Sequence, residues 1–263
     1  MKFALATVVL AGSALAAPSS RERFARRLER RALSRGSQPK IAVENSLAAL
    51  STNNSHVEYS SNWAGAVLSK TSATWTAVTG TFTVPTPKAP SGSSTAYASA
   101  WVGIDGDTCG NAILQTGVDF NVESGKVSYD AWYEWYPDYA YDFSGISFSA
   151  GDSVTTTVKA TSKTGGTATV KNNSKGTSVT HTFSGQPSLC EYDAEWIVED
   201  FESNGGLVPF ANFGTVTFTG ASATSSSGST GPSGATIIDI EQSNKVLTSC
   251  SASSSSVTCT YTS

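Results

Sequence analysis

The sequence predicts an all-β fold, a sandwich of two large antiparallel sheets, and three observations predict it. Short runs with a two-residue alternation of Val, Thr, Tyr and Phe recur between turns of Gly, Ser and Asn, which is the signature of half-buried antiparallel strands. No window of comparable length shows the 3.6-residue period of an amphipathic helix. The number of such runs exceeds what a single small sheet uses, leaving a sandwich or a barrel, of which the sandwich is preferred.

The elements follow in order. Lys2, the apolar stretch "FALATVVLAGSALA" and "ALAA" before Pro18 read as a signal peptide over residues 1–17, too short in its apolar part to span a bilayer. Residues 18–55 read as a basic pro-segment. The first 51 residues carry 9 of the 17 Lys and Arg but only 3 of the 21 Asp and Glu, leaving 8 basic against 18 acidic residues beyond them, a net charge near −10. No arginine occurs after Arg35. The run "SSRERFARRLERRALSRGSQPK" is compatible with a solvated helix with Phe24 and Leu28 on one face. It also suits a cationic partner for an anionic domain, held at neutral pH and weakened once carboxylates protonate.

Residues 56–263 are assigned to one domain, with its N-terminus after processing between residues 52 and 59. Its strand runs are "TWTAVTGTFTV" (74–84), "GKVSYDAWYEWY" (125–136), "DSVTTTVKA" (152–160), "TATVKN" (167–172), "TSVTHTFS" (177–184), "GTVTFTG" (214–220), "ATIIDI" (235–240) and "SVTCTYT" (256–262). Residues 85–94, "PTPKAPSGSS", form a Pro/Ser loop open to nicking, and the low-complexity stretch 222–234 is expected to be a second surface loop. Four cysteines in an exported chain imply two disulfides. A local hairpin bond between Cys250 and Cys259 would leave Cys109 for Cys190, although three connectivities are formally open. Sequons stand at Asn53 and Asn172.

Elimination narrows the chemistry. His56 and His181 are the only histidines, the first at the processing boundary and the second in a Thr-rich strand, and no G-x-S-x-G elbow exists for a serine triad. There is no H-E-x-x-H, and "DGDTCG" (105–110) fails as a calcium loop because Cys109 takes a ligand position and Thr116 stands where the closing Glu belongs. No metal or cofactor is expected, nor a nucleic-acid or membrane partner. "AILQTG" resembles half of an aspartic-protease motif with Gln115 in place of the Asp, but no second Asp-Thr-Gly accompanies it. Carboxylates and amides remain.

Two-residue alternation sorts these groups onto faces. Trp101, Gly103 and Asp105 share one face; so do Ile113, Gln115, Gly117 and Asp119; Asp130, Trp132, Glu134 and Tyr136; and Glu195, Ile197, Glu199 and Phe201. "YDAWYEWYPDYAYDF" (129–143) interleaves eight aromatics with four carboxylates, a poor composition for a dry core and a natural one for a cleft that holds an extended polymer. From the residues alone that polymer is peptide or sugar: a glycoside hydrolase using Glu134 and Glu199, or a lectin-like binding module, satisfies the same pattern.

Longer motifs decide between these. "SNWAGAV" (61–67), "AWVGIDGDTC" (100–109), "AILQTG" (112–117), "YDAWYEWYP" (129–137), "DFSGI" (142–146) and "AEWIVEDF" (194–201) resemble the glutamic peptidases, or eqolisins, secreted acid endopeptidases of filamentous fungi. The resemblance runs over residues 59–263. It implies a two-sheet, lectin-like sandwich, polypeptide substrates, and a catalytic dyad of Gln115 and Glu199. It further implies a substrate cleft lined or buttressed by Trp63, Trp101, Asp105, Asp119, Asp130, Trp132, Glu134, Tyr136 and Phe201, and the disulfides Cys109–Cys190 and Cys250–Cys259. "ESNGGLVPF" (202–210) lacks the extra cysteine pair of some relatives. The expected product is a secreted, extracellular, monomeric zymogen inhibited by its own pro-segment. In its mechanism an ionised Glu199, with an ordinary pKa near 4.3, activates water, and the Gln115 amide stabilises the oxyanion.

Overall fold

The computed structural model describes residues 35–44, 46 and 57–263. The stretches read from sequence as a signal peptide and as the arginine-rich part of a pro-segment, the Asn53 sequon and His56 lie outside the described residues. The strands, in chain order, are β1 (Val57–Ser60), β2 (Trp63–Ser69), β3 (Ala77–Thr83), β4 (Thr95–Ile104), β5 (Ile113–Glu123), β6 (Lys126–Tyr136), β7 (Tyr141–Asp142), β8 (Ser153–Ser162), β9 (Gly165–Asn172) and β10 (Thr177–Phe183). They continue with β11 (Asp193–Glu199), β12 (Glu202–Ser203), β13 (Gly206–Leu207), β14 (Thr215–Ser225), β15 (Gly228–Thr230), β16 (Thr236–Gln242), β17 (Lys245–Val246), β18 (Thr248–Ala252) and β19 (Ser256–Tyr261). The described residues contain no helix.

Two large sheets result. One has nine strands in the order β1-β16-β2-β11-β4-β5-β6-β7, with β17 paired to β16; the other has eight, β10-β9-β8-β3-β14-β19-β18, with β15 paired to β14. Every pairing is antiparallel except β1 with β16, a parallel edge that the alternation pattern gave no reason to expect. The sheets pack through alternate residues. Ala100, Val102 and Ile104 of β4, Leu114, Val118 and Phe120 of β5, and Trp196 and Val198 of β11 meet Val78, Phe82, Val154, Val158, Val216 and Phe218 of the second sheet in one buried core. Burial of this apolar area is the main stabilising term.

The nine-stranded sheet is apolar on its other face as well, where Trp63, Val67, Trp101, Ile113, Trp132, Ile197 and Ile238 form a second buried cluster. This explains why β11 is buried at all seven positions instead of alternating.

Both disulfides pair as the resemblance implies, Cys109 with Cys190 and Cys250 with Cys259. Two sequence expectations need correction. Residues 222–234 are not simply a surface loop: β14 runs through Ser225 and turns into β15, with Ala223 fully buried and Thr224 paired to Ala77. Small side chains hid a strand whose backbone ladder does the holding. The sequon at Asn172 is also unsuited to a glycan in the folded domain, because that side chain is fully buried and its amide donates to Ser147 O (3.0 Å) and Asp152 (2.8 Å).

Candidate active site

Five neighbouring strands, β2-β11-β4-β5-β6, set three rows of side chains across the outer face of the larger sheet. The first row is Val67, Glu195, Gly103, Gln115 and Glu134; the second is Gly65, Ile197, Trp101, Gly117 and Trp132; the third is Trp63, Glu199, Ser99, Asp119 and Asp130. The face assignments read from alternation therefore place Gln115, Asp119, Asp130, Trp132, Glu134 and Glu199 together. Gln115 and Glu199 stand two strands across and four residues along from each other, with Trp101 between them.

Glycines make room for that tryptophan. A Cβ at Gly117 would lie 2.5 Å from Trp101 Cβ, and one at Gly103 would lie 2.8 Å from Trp101 Cζ3, so the indole occupies the space of two absent side chains. Its Nε1–H donates to Glu199 Oε2 at 2.8 Å, and Trp63 packs edge-on against it at 5.0 Å between centroids. Trp132 Nε1–H donates to Ser99 Oγ at 3.1 Å, and Asn121 Nδ2–H donates to Asp130 Oδ1 at 2.8 Å. The Gln115 side chain is fully buried, yet neither atom of its amide has a hydrogen-bond partner within the protein.

Residues 35–43 cross this face. The Arg35 guanidinium pairs with Asp119 and sits over the rings of Trp132 (4.4 Å) and Phe201 (4.6 Å). Ser37 N–H donates to Glu134 Oε2 (3.1 Å) and Gln38 N–H to Glu199 Oε1 (3.2 Å). Trp63 Nε1–H and the Asn62 amide donate to the carbonyls of Gln38 and Pro39. Beyond them Lys40 pairs with Asp107 and Glu58. The segment also adds backbone bonds at both ends, Gly36 with Glu202 and Ile41 with Ser61. A segment carrying Arg35 and Lys40 thus lies on an acidic, aromatic floor.

Burial sets the electrostatics. It pushes Glu199 up to about 7, with the Glu134 charge adding and the Gln38 N–H and Arg35 charge opposing. The ordinary value near 4.3 expected from sequence is therefore not the value with the segment in place. Burial likewise raises Asp119, against the opposing charge of Arg35, and Asp130.

Of the remaining sequence candidates, Tyr136 packs against the floor cluster and Phe201 lies just past β11. Asp105 stands apart. Its carboxylate accepts backbone N–H groups from Cys190 (2.8 Å), Glu191 (2.8 Å), Tyr192 (2.7 Å) and Asp193 (3.3 Å), while Asp193 accepts from Thr108 and Cys109. With the Cys109–Cys190 bond this reciprocal clamp fixes the entry to β11, and with it Glu199. Asp193, Ser99 and Asn62 were not singled out from sequence. A strand-entry Asp and a Ser or Asn beside a tryptophan have no local signature, since the contacts that tie them to the site, Asn62 with Ile41, Asp193 with Thr108 and Ser99 with Trp132, are made far along the chain.

Known proteins share this arrangement over most of its length. The chain is 54% identical to aspergillopepsin-2 of Aspergillus niger, covering 99% of this chain and all of the relative, and 43% identical to scytalidopepsin B of Scytalidium lignicola over the same shares. Among solved structures it matches scytalido-glutamic peptidase bound to a transition-state analogue inhibitor at a TM-score of 0.71 and 46% identity, covering 77% of this chain and 98% of that one. Aspergilloglutamic peptidase from Aspergillus niger matches at 0.62 and 65% identity, covering 64% of this chain and 99% of that one. The Peptidase A4 family description matches residues 61–261, which include all five strands of the cleft. The chain belongs to the Peptidase A4 family, the eqolisins, and is a glutamic-type endopeptidase acting on polypeptides.

Proposed function

We propose that this peptidase is secreted as a monomeric zymogen, with residues 1–17 the signal peptide, 18–55 an inhibitory pro-segment and 56–263 the catalytic sandwich, and that Glu199 and Gln115 cleave peptide bonds in acid. The observation that carries the reading is the pairing of unlike groups on one face: a carboxylate steadied by the Trp101 indole, and a buried amide whose atoms the protein leaves free for a substrate.

The chemistry follows from the groups. Glu199, ionised, takes a proton from water as that water attacks the scissile carbonyl. Gln115 donates an amide N–H to the oxyanion that forms. Glu199 then returns the proton to the leaving amine. A neutral amide partner spares Glu199 the like-charge coupling of a two-carboxylate dyad. The aromatic floor of Trp63, Trp101 and Trp132 excludes water on one side, and Asp119, Asp130, Glu134, Tyr136 and Phe201 line the channel for the chain.

The pro-segment blocks this by occupying the same groups. Gln38 N–H holds the base and Arg35 the acidic end of the cleft. Arg35 with Asp119, and Lys40 with Asp107 and Glu58, are the ion pairs that hold the segment on the cleft. Once the segment leaves, water returns to Glu199 and its pKa falls back into the range in which a base works in acid.

The test is acidification of the full precursor to about pH 4 with an unfolded protein as substrate and an aspartic-protease inhibitor present. Gln115→Ala should lose about 10²–10³ in kcat, the worth of one oxyanion donor, and Glu199→Gln should be inactive. Activity retained by both variants overturns the dyad.

A further inference from the structure

Glu195 is a buried acid that the mechanism above leaves unused. It lies on β11 in the same cross-strand row as Gln115, with Gly103 of β4 the single residue between them. Both are fully buried, and neither carboxyl oxygen of Glu195 has a hydrogen-bond partner within the protein, as neither amide atom of Gln115 has. A Cβ added to Gly103 would lie 2.7 Å from Glu195 Oε1, so the carboxyl has already leaned across one strand toward Gln115, into space that only glycine leaves open. The Trp101 ring, 2.8 Å from that same Cβ position, walls the gap on the side of Glu199. One Glu195 oxygen stands at this glycine, and the four polar atoms of the two side chains in this row are buried without a partner in the protein, a rare condition for buried polar groups.

We propose that Glu195 is a positioning residue for the reaction, its carboxyl joined to the Gln115 amide through one bridging water over Gly103 and setting which amide atom faces the scissile carbonyl. The inference rests on the dyad reading. Burial, together with Asp193, Asp105 and Asp107, keeps Glu195 protonated well above the ordinary range. A protonated carboxyl offers one donor and one acceptor, as an amide does. When the Glu195 O–H donates through the water to Gln115 Oε1, Nε2 is left to point into the cleft and donate to the oxyanion. Without that contact the amide can rotate half a turn about its last bond and present its oxygen, which repels the developing charge.

The test compares Glu195→Gln and Glu195→Met in the full chain activated in acid. Glu195→Gln keeps a donor and an acceptor and should hold kcat within about twofold, whereas Glu195→Met should lower kcat about tenfold with KM unchanged. Its melting temperature should not fall, because an apolar side chain of similar reach replaces a buried polar group. The proposal is overturned by a wild-type kcat in Glu195→Met, by a loss equal to it in Glu195→Gln, or by a loss accompanied by a lower melting temperature or a higher KM. Gln115→Ala and Glu199→Gln run alongside separate the two readings: activity in them defeats the dyad, whereas their inactivity with a fully active Glu195→Met defeats only the role of Glu195.

Discussion

Raising the pH from 4 to 7 should weaken the mature domain, and the structure gives the size of the effect. Burial lifts Asp200 from 3.8 to about 8 and Asp239 to about 6, each opposed only by local hydrogen bonds from Gln242 or Thr248 and its neighbours. Asp200 follows Glu199 in the chain and is raised further by its charge. An acid whose pKa is higher folded than unfolded binds more protons in the native state. Its contribution is therefore full below the unfolded value and is lost as pH rises toward the folded value. Between pH 4 and 7 Asp200 alone should cost about 4 kcal/mol, at about 1.4 kcal/mol per pH unit. Asp239, lost by pH 6, adds about 3 kcal/mol. The sum of about 7 kcal/mol is a large part of a typical domain's stability and should lower Tm by about 15–25 °C. Self-repulsion among 18 acidic and 8 basic residues acts in the same direction. Thermal melts of the mature domain at pH 4, 5.5 and 7, with Asp200→Asn in parallel, measure this; the variant should lose less on the way to pH 7. A wild-type Tm at pH 7 equal to or above that at pH 4 refutes the reasoning.

Three further outcomes are expected. Trp101→Phe removes the indole N–H that favours ionised Glu199, so kcat/KM should fall about tenfold and its acid limb should move to higher pH; an unmoved limb would show that the bond does not tune the base. Arg35→Ala in a peptide spanning residues 35–44 should weaken inhibition of the mature enzyme at least about tenfold, since an ion pair and two ring contacts are lost together. Measured inhibition constants decide it. Removing Cys109–Cys190, which closes 81 residues, should destabilise by about 4.5 kcal/mol, against about 2.6 kcal/mol for Cys250–Cys259, which closes 9, as denaturant melts of the paired alanine variants would report.

The readable part of this protein was the part with a period. The runs at 74–84, 125–136, 152–160 and 256–262 announce strands because one face is apolar, and the same alternation sets Gln115 with Asp119, Trp132 with Glu134, and Glu195 with Glu199, each pair on one face of its own strand. Where side chains are small the signal disappears, which is why 222–225 read as loop although it is a strand. A strand buried on both faces, such as β11, shows no alternation of burial, so the two-residue spacing sorts its side chains onto faces without showing that both are covered. Asn172 shows the converse error: a local triplet cannot report that distant residues have already claimed the amide.

By itself the sequence determined the fold class, the charge asymmetry between a basic first part and an acidic remainder, the residue types able to do chemistry, and the face on which each strand presents them, because each of these depends on composition or on a spacing of two. Register, and everything that depends on it, was decided by tertiary structure. Only the pairing of β11 with β4 and β4 with β5 sets Glu195 and Gln115 on either side of Gly103, brings the Trp101 indole to Glu199, and lays Arg35 against Asp119 from 84 residues away. Such contacts carry no local signature. A cross-strand neighbour is chosen by the closing of loops and the packing of two sheets, not by the residues beside it in the chain.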